Sequence, residues 1–149
     1  MVMKKYYDDA FRDLSAFGTS WFMGLITAVS FILGHFELAV YIIIGFVLSY
    51  IITTVTRLFY FKARPKKEKY VSMWSKIDAS AFPSNHSIRA IYMAVIIGTY
   101  FNSLILTIFL VIISLFVAYS RTYIKKHYYK DVIVGLIIGL VMAFVVLMV

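Results

Sequence analysis

The sequence predicts an all-α fold: an integral membrane bundle of about five transmembrane helices, preceded by a short helix lying at the interface. Composition is the first observation behind this, because 62% of the 149 residues are hydrophobic and only 15% are charged, against ~25% charged in a soluble domain. Patterning is the second. The apolar residues gather into runs close to the ~20 that a spanning helix requires, and nearly all the charge lies between the runs. The third is a mean hydropathy of +0.88, which makes lipid rather than water the main solvent.

Taken in order, residues 1–14 mix Lys4, Lys5 and Arg12 with Asp8, Asp9 and Asp13 and with Tyr6, Tyr7 and Phe11, a composition suited to an amphipathic interfacial helix. Acids interrupt the basic region and the apolar run that follows is long enough to span, so the segment does not read as a signal peptide. Spans are expected at 16–33, 38–55, 84–101, 104–119 and 132–149. The two prolines, Pro65 and Pro83, and seven scattered glycines mark no linker, so residues 1–149 read as one domain. Tyr50, Tyr60, Trp74, Tyr119 and Tyr128 stand near span ends, as an aromatic belt would.

Five spans put the N-terminus and the loops 56–83 and 120–131 on one side, and the turns 34–37 and 102–103 on the other. All fifteen Lys and Arg fall on the first side when Arg89 is assigned to the start of the third span, and the positive-inside rule makes that side cytoplasmic. The net charge of +8 does not point to nucleic acid, because the basic residues sit between apolar spans, where anionic headgroups and phosphates are the nearest partners. The absence of cysteine excludes disulfides, thiolate metal sites and a cysteine nucleophile. In the long loop, Lys66, Lys67, Lys69 and Lys76 are interspersed with Tyr70, Val71, Met73 and Trp74, which suits contact with an anionic membrane surface.

Three segments on the charged side carry candidate chemistry: Arg57-x6-Arg64-Pro65, Pro83-Ser84-Asn85-His86, and Ser120-Arg121-x5-His127-x3-Asp131. Arg57 and Arg64 are two helical turns apart, so a second span that continues past the interface would project both from one face, either as a phosphate clamp or as a snorkelling pair. Ser84, Asn85 and His86 open the third apolar run, where free N–H groups and the helix dipole favour an anion; Ser84 would cap the helix or bind an oxygen. His127 and Asp131 are four apart. On the helix opening the fifth span the carboxylate would hold one imidazole nitrogen, giving either a plain surface hydrogen bond or an oriented nucleophile or base. Arg121 is a further phosphate ligand or another snorkelling residue.

Together these segments closely resemble the signature of the type 2 phosphatidic acid phosphatase family, which joins membrane lipid phosphatases to soluble vanadium haloperoxidases. That signature reads Lys-x6-Arg-Pro, Pro-Ser-Gly-His and Ser-Arg-x5-His-x3-Asp, and the third segment matches it throughout. Arg57 stands in place of lysine, and Asn85 in place of glycine. Arginine keeps the charge but changes its geometry. Asparagine is the non-glycine residue that best tolerates a tight turn, and its side chain would narrow the pocket or touch substrate.

The resemblance implies that His127 attacks phosphorus and becomes a phosphohistidine, that Asp131 orients it, and that His86 protonates the leaving oxygen and then activates water. It implies that Arg57, Arg64, Arg121, Ser84 and the Asn85 N–H surround the phosphate oxygens. No cofactor and no metal are expected, since the only candidate ligands, His86, His127 and Asp131, are crowded by cations. Arg89 lies outside the signature. It falls three residues after His86 on the same helical face, and contacts the phosphate or a headgroup unless it snorkels to the interface. His35 in the far turn reads as a solvated loop residue.

A membrane lipid phosphate is thus the expected partner. The small size resembles the prokaryotic polyprenyl diphosphate phosphatases, with phosphatidic acid and phosphatidylglycerol phosphate as alternatives. A non-catalytic anionic-lipid-binding protein is the competing class, and vanadate-dependent haloperoxidation a third, whose soluble practitioners are unlike this apolar chain.

Overall fold

The computed structural model describes residues 2–66 and 70–148. Its helices are α1 (Val2–Ser15), α2 (Ser20–Ile32), α3 (Phe36–Phe59), α4 (Met73–Ala79), α5 (Asn85–Tyr100), α6 (Leu104–Tyr123) and α7 (Tyr129–Leu147), with a 3-10 turn at Ala16–Gly18. Lys67 and Lys69 of the long loop lie outside the described residues. A single antiparallel bridge, Ala63 to Ser80, is the only strand-like pairing among those described.

The all-α membrane bundle expected from the sequence is what forms, with α3, α6 and α7 long and apolar enough to cross a membrane. The other two expected spans are shorter. The run 16–33 is divided at Thr19, whose extended backbone and side chain cap α2 by accepting from Phe22 N–H at 3.2 Å. The chain turns by 52° there relative to α1. α5 has 16 residues, ~24 Å at 1.5 Å per residue.

α5 lies at the centre, packed on α3, α6 and α7. Ile88, Tyr92, Met93 and Ile96 join Met23, Leu38, Ile42, Met142 and Val146 in one core. Close approach of α7 follows from Gly135 and Gly139, where an added Cβ would lie 2.7 Å from Ser84 O and 2.3 Å from Ile88 O. Small residues four apart let helix backbones meet in this way inside a membrane. The outer faces are apolar, with Val40, Ile43, Val47 and Ile51 on α3 and Ile133, Ile137, Val141 and Phe144 on α7 all exposed, the pattern of a bundle solvated by lipid.

The inward stripe of α3 changes character along its length. Leu38, Ala39, Ile42 and Gly45 give way to Ser49, Thr53 and Arg57, all buried, so the polar end of the bundle faces the long loop. At the opposite end, His35 is not a solvated loop residue: its Nδ1 lies 3.1 Å from Tyr100 Oη and its ring packs edge-on against Phe101, tying the two far turns together.

Candidate active site

Arg57 leaves the last turn of α3 and stays buried. Its Nη2 donates to Pro83 O at 3.1 Å, and Nη1 lies 3.5 Å from Ile77 O, so it clips the approach to α5. Arg64 does not extend that helical face. α3 stops at Phe59, Tyr60 is extended, and Pro65 disfavours helical backbone at the residue before it. The chain reverses instead. Lys62 N–H donates to Ser80 Oγ at 3.2 Å and Ala81 N–H to Lys62 O at 2.7 Å, and Arg64 Nη2 donates to the Asp78 carbonyl.

α5 begins at Asn85 with Ser84 as its N-cap residue. Ser84 neither caps through its side chain nor lines the cavity. It is fully buried, its hydroxyl accepts from Ser87 Oγ at 2.9 Å, and its N–H donates to Asp131 O at 3.1 Å. Burial against α7 takes this hydroxyl out of reach of a ligand in the cavity. His86 is backed by Gly18, where a Cβ would meet His86 O at 2.8 Å and His86 Cβ at 2.9 Å. Only a residue without a side chain lets the 3-10 turn press against this histidine.

Arg121 closes α6, buried, with Nη1 donating to Ser15 Oγ at 3.2 Å. Lys125 adopts positive φ, and the N–H groups of Lys126 and His127 both return to Arg121 O, at 3.0 and 3.1 Å. The reversal turns His127 inward, where it is 3% exposed.

His127 and Asp131 do not share a helical face, because α7 starts only at Tyr129 and Tyr128 before it is extended. The ring is held by a different group: His127 Nδ1 lies 2.6 Å from the Ala81 carbonyl. A carbonyl only accepts, so Nδ1 carries the proton and Nε2 keeps its lone pair. Asp131 is fully buried, accepts from Tyr128 N–H at 2.8 Å, and forms an ion pair with Lys62 Nζ. Lys62 also lies over the Tyr128 ring, 4.6 Å from its centroid. Asp131 therefore fixes the start of α7 next to His127 rather than the imidazole itself.

Burial, reinforced by the neighbouring Arg121, Arg64 and Arg57 guanidiniums, lowers the His127 pKa to about 3, against a smaller upward pull from Ala81 O. Both lowering causes penalise the imidazolium. We expect the 15N signals of His127 in the ligand-free protein to stay those of the neutral Nδ1–H tautomer from pH 8 to pH 5. A transition near the ordinary 6.5 would contradict this arrangement.

Arg57, Arg64, Asn85, His86, Arg89, Arg121 and His127 line one cavity of about 400 Å³, together with Ser75, Asp78 and Ala79. Arg89 does not snorkel. It is buried, donates from Nε to Ser49 Oγ at 3.0 Å and from Nη1 to Ser20 Oγ at 2.7 Å, and its Cζ stands 5.0 Å from the Phe46 ring centroid. Sequence reasoning missed these supports, along with Lys62, Ser15, Gly18 and the Ala81 carbonyl. Ser49, Thr53 and Arg57 at four-residue spacing on an apolar helix were a readable signal, whereas the others depend on chain reversals. Chemically, the cavity offers a nitrogen lone pair, a second imidazole and four guanidiniums: a nucleophile, a proton carrier and a strong anion field.

The sequence profile of the PAP2 superfamily matches residues 37–149. No curated protein matches the sequence. Among solved structures, the crystal structure of Aquifex aeolicus LpxE superposes with a TM-score of 0.80 at 21% identity, covering 97% of this chain and 87% of that one. The crystal structure of the first transmembrane PAP2-type phosphatidylglycerolphosphate phosphatase from Bacillus subtilis gives 0.77 at 22% identity, covering 95% and 75%. At such identities the likeness is one of fold.

Proposed function

The chain belongs to the PAP2 superfamily, and from that premise we propose that it hydrolyses a phosphate ester or anhydride of a membrane lipid through a phosphohistidine on His127. One observation carries this reading: the free Nε2 of a neutral, buried His127 shares a cavity with His86 and four arginines. Nε2 attacks phosphorus, the bond to the leaving oxygen breaks with its electron pair, and His86 gives that oxygen a proton. Water then attacks the phosphohistidine, losing a proton to His86, and the P–N bond breaks to release phosphate. Arg57, Arg64 and Arg121 with the Asn85 N–H neutralise the phosphate oxygens, Arg89 adds a fourth cation, and Asp131 serves the nucleophile by holding the first turn of α7.

The lipid chain has an apolar route beside this site. A groove between α2 and α3, lined by Met23, Gly24, Phe31, Ile43 and Phe46, also includes Ser20, and both Ser20 and Phe46 contact Arg89. Polyprenyl diphosphate is the substrate we bring forward, with phosphatidic acid and phosphatidylglycerol phosphate as alternatives, the last also named for the Bacillus subtilis relative. On the Lys and Arg distribution, which favours that side, we assign the site to the cytoplasmic face. A cysteine introduced at position 66 and labelled by an impermeant thiol reagent only from that side would bear out this orientation, and labelling from the other side would reverse it.

Phosphate release from these lipids by purified protein in detergent is expected to persist in excess EDTA, because guanidiniums do the neutralising. Loss of release on chelation would refute the metal-independent route. No release from any of the lipids would leave an anionic-lipid-binding protein as the reading.

A further inference from the structure

The stretch of chain that joins α1 to α2 touches three residues of the cavity wall. Ser15 Oγ accepts from Arg121 Nη1 at 3.2 Å, Gly18 presses on His86, and Ser20 Oγ accepts from Arg89 Nη1 at 2.7 Å. Ser15, Gly18 and Ser20 lie outside the signature segments and precede the residues matched by the family profile.

This stretch has a fixed local geometry. Thr19 N–H and Thr19 Oγ1 both donate to Ala16 O, at 2.9 and 2.7 Å, and Thr19 Oγ1 also caps α2. α1 is seated on the same helix that carries Arg121: the Phe11 ring centroid lies 5.7 Å from that of Tyr119 and 4.3 Å from that of Tyr123, which flank Arg121 in the chain. Ser15 is buried, and its hydroxyl donates to Arg12 O at 2.9 Å. The hydrogen is thereby committed, and the lone pairs are left to accept from Arg121. Guanidiniums gathered around one cavity repel one another until an anion arrives, so a fixed acceptor behind one of them preorganises the anion site.

Gly18 acts by close packing. A Cβ there would lie 2.8 Å from His86 O, 2.9 Å from His86 Cβ and 3.0 Å from His86 Cα. These atoms belong to the backbone or are tied directly to it, so a side chain at position 18 displaces the start of α5 and not a flexible tip. Ser20 is the least demanding of the three, because Arg89 keeps a second acceptor in Ser49 Oγ.

Resting on the phosphohistidine reading above, we propose that Ser15 and Gly18 are positioning residues for the reaction: Ser15 sets Arg121 for the phosphate oxygens, and Gly18 sets His86 for proton transfer. Neither residue lines the cavity. Each acts through the residue it holds, which makes the join between α1 and α2 part of the frame of the site as well as a tether for an interfacial helix.

The test uses the full chain in detergent and two readouts that separate the roles: the Kd for inorganic phosphate by calorimetry, and turnover of a lipid phosphate. Ser15→Ala should raise the phosphate Kd about tenfold, the scale of one charge-assisted hydrogen bond, and raise KM in parallel. Ser15→Thr keeps the hydroxyl and should recover most of both. Gly18→Ala should lower kcat by about 10²-fold, as misplacing a reacting group by ~1 Å does, with the phosphate Kd unchanged. A lower thermal midpoint with wild-type Kd, KM and kcat would overturn both assignments, and Ser15→Thr no better than Ser15→Ala would overturn that of Ser15. Parallel losses of kcat and phosphate affinity in Gly18→Ala would reduce its glycine to general packing and overturn that of Gly18. No phosphate release by the wild-type chain would overturn the phosphatase reading and the Gly18 assignment with it, while the phosphate Kd of the Ser15 variants would still decide whether Ser15 positions Arg121.

Discussion

His127→Ala is expected to reduce phosphate release by about 10³-fold or more in kcat, the scale on which removal of a covalent nucleophile acts, with little change in stability. The side chain's one hydrogen bond is to Ala81 O. Its loss costs about 1 kcal/mol, small beside the core that α5 assembles. Substrate binding should survive, since Arg57, Arg64, Arg89 and Arg121 remain around the cavity. A variant that retained turnover would show that the cavity binds anions while the chemistry proceeds elsewhere.

Lys62→Met has the second-largest expected effect, and it acts on the scaffold of the site. The Asp131 side chain is fully buried while that of Lys62 is 26% exposed, so removing the ammonium strands a carboxylate in the interior. Breaking a buried pair from one side costs roughly 3–5 kcal/mol, and the partial exposure of Lys62 argues for about 3. The segment that delivers Arg64 would also lose its anchor on α7. We therefore expect a lower thermal midpoint in detergent and a raised KM, with much of the midpoint recovered when Asp131→Asn is added, because the stranded charge is then gone. An unchanged midpoint and KM in Lys62→Met would remove Lys62 from the account.

These two residues mark the limit of what the sequence made legible. The apolar runs and their charged connections were enough for an all-α membrane bundle, and seven of the residues singled out along the chain line one cavity. Periodicity does not say where a helix begins, however. His127 and Asp131 looked like helical neighbours because the run they precede is helical, yet α7 opens at Tyr129 and the carboxylate turns to Lys62. Arg64 looked like a residue of the continued helix for the same reason, although α3 has already ended at Phe59 and Tyr60 is extended. Lys62 was concealed inside the six unspecified positions between Arg57 and Arg64, since nothing local in the sequence brings residue 62 beside residue 131. Ser15, Gly18 and Ser20 support Arg121, His86 and Arg89 from a segment that precedes the family match. Contacts of that kind are written in tertiary packing, not in spacing.

The central claim is that phosphorus becomes bonded to His127, and a rapid-quench single turnover with 32P-labelled lipid phosphate tests it most directly. The account predicts transient protein-bound label that is stable to base and labile to acid, that maps to the peptide containing His127, and that is absent from His127→Ala. Turnover of the lipid with no such label, or label carried on another residue, would contradict it.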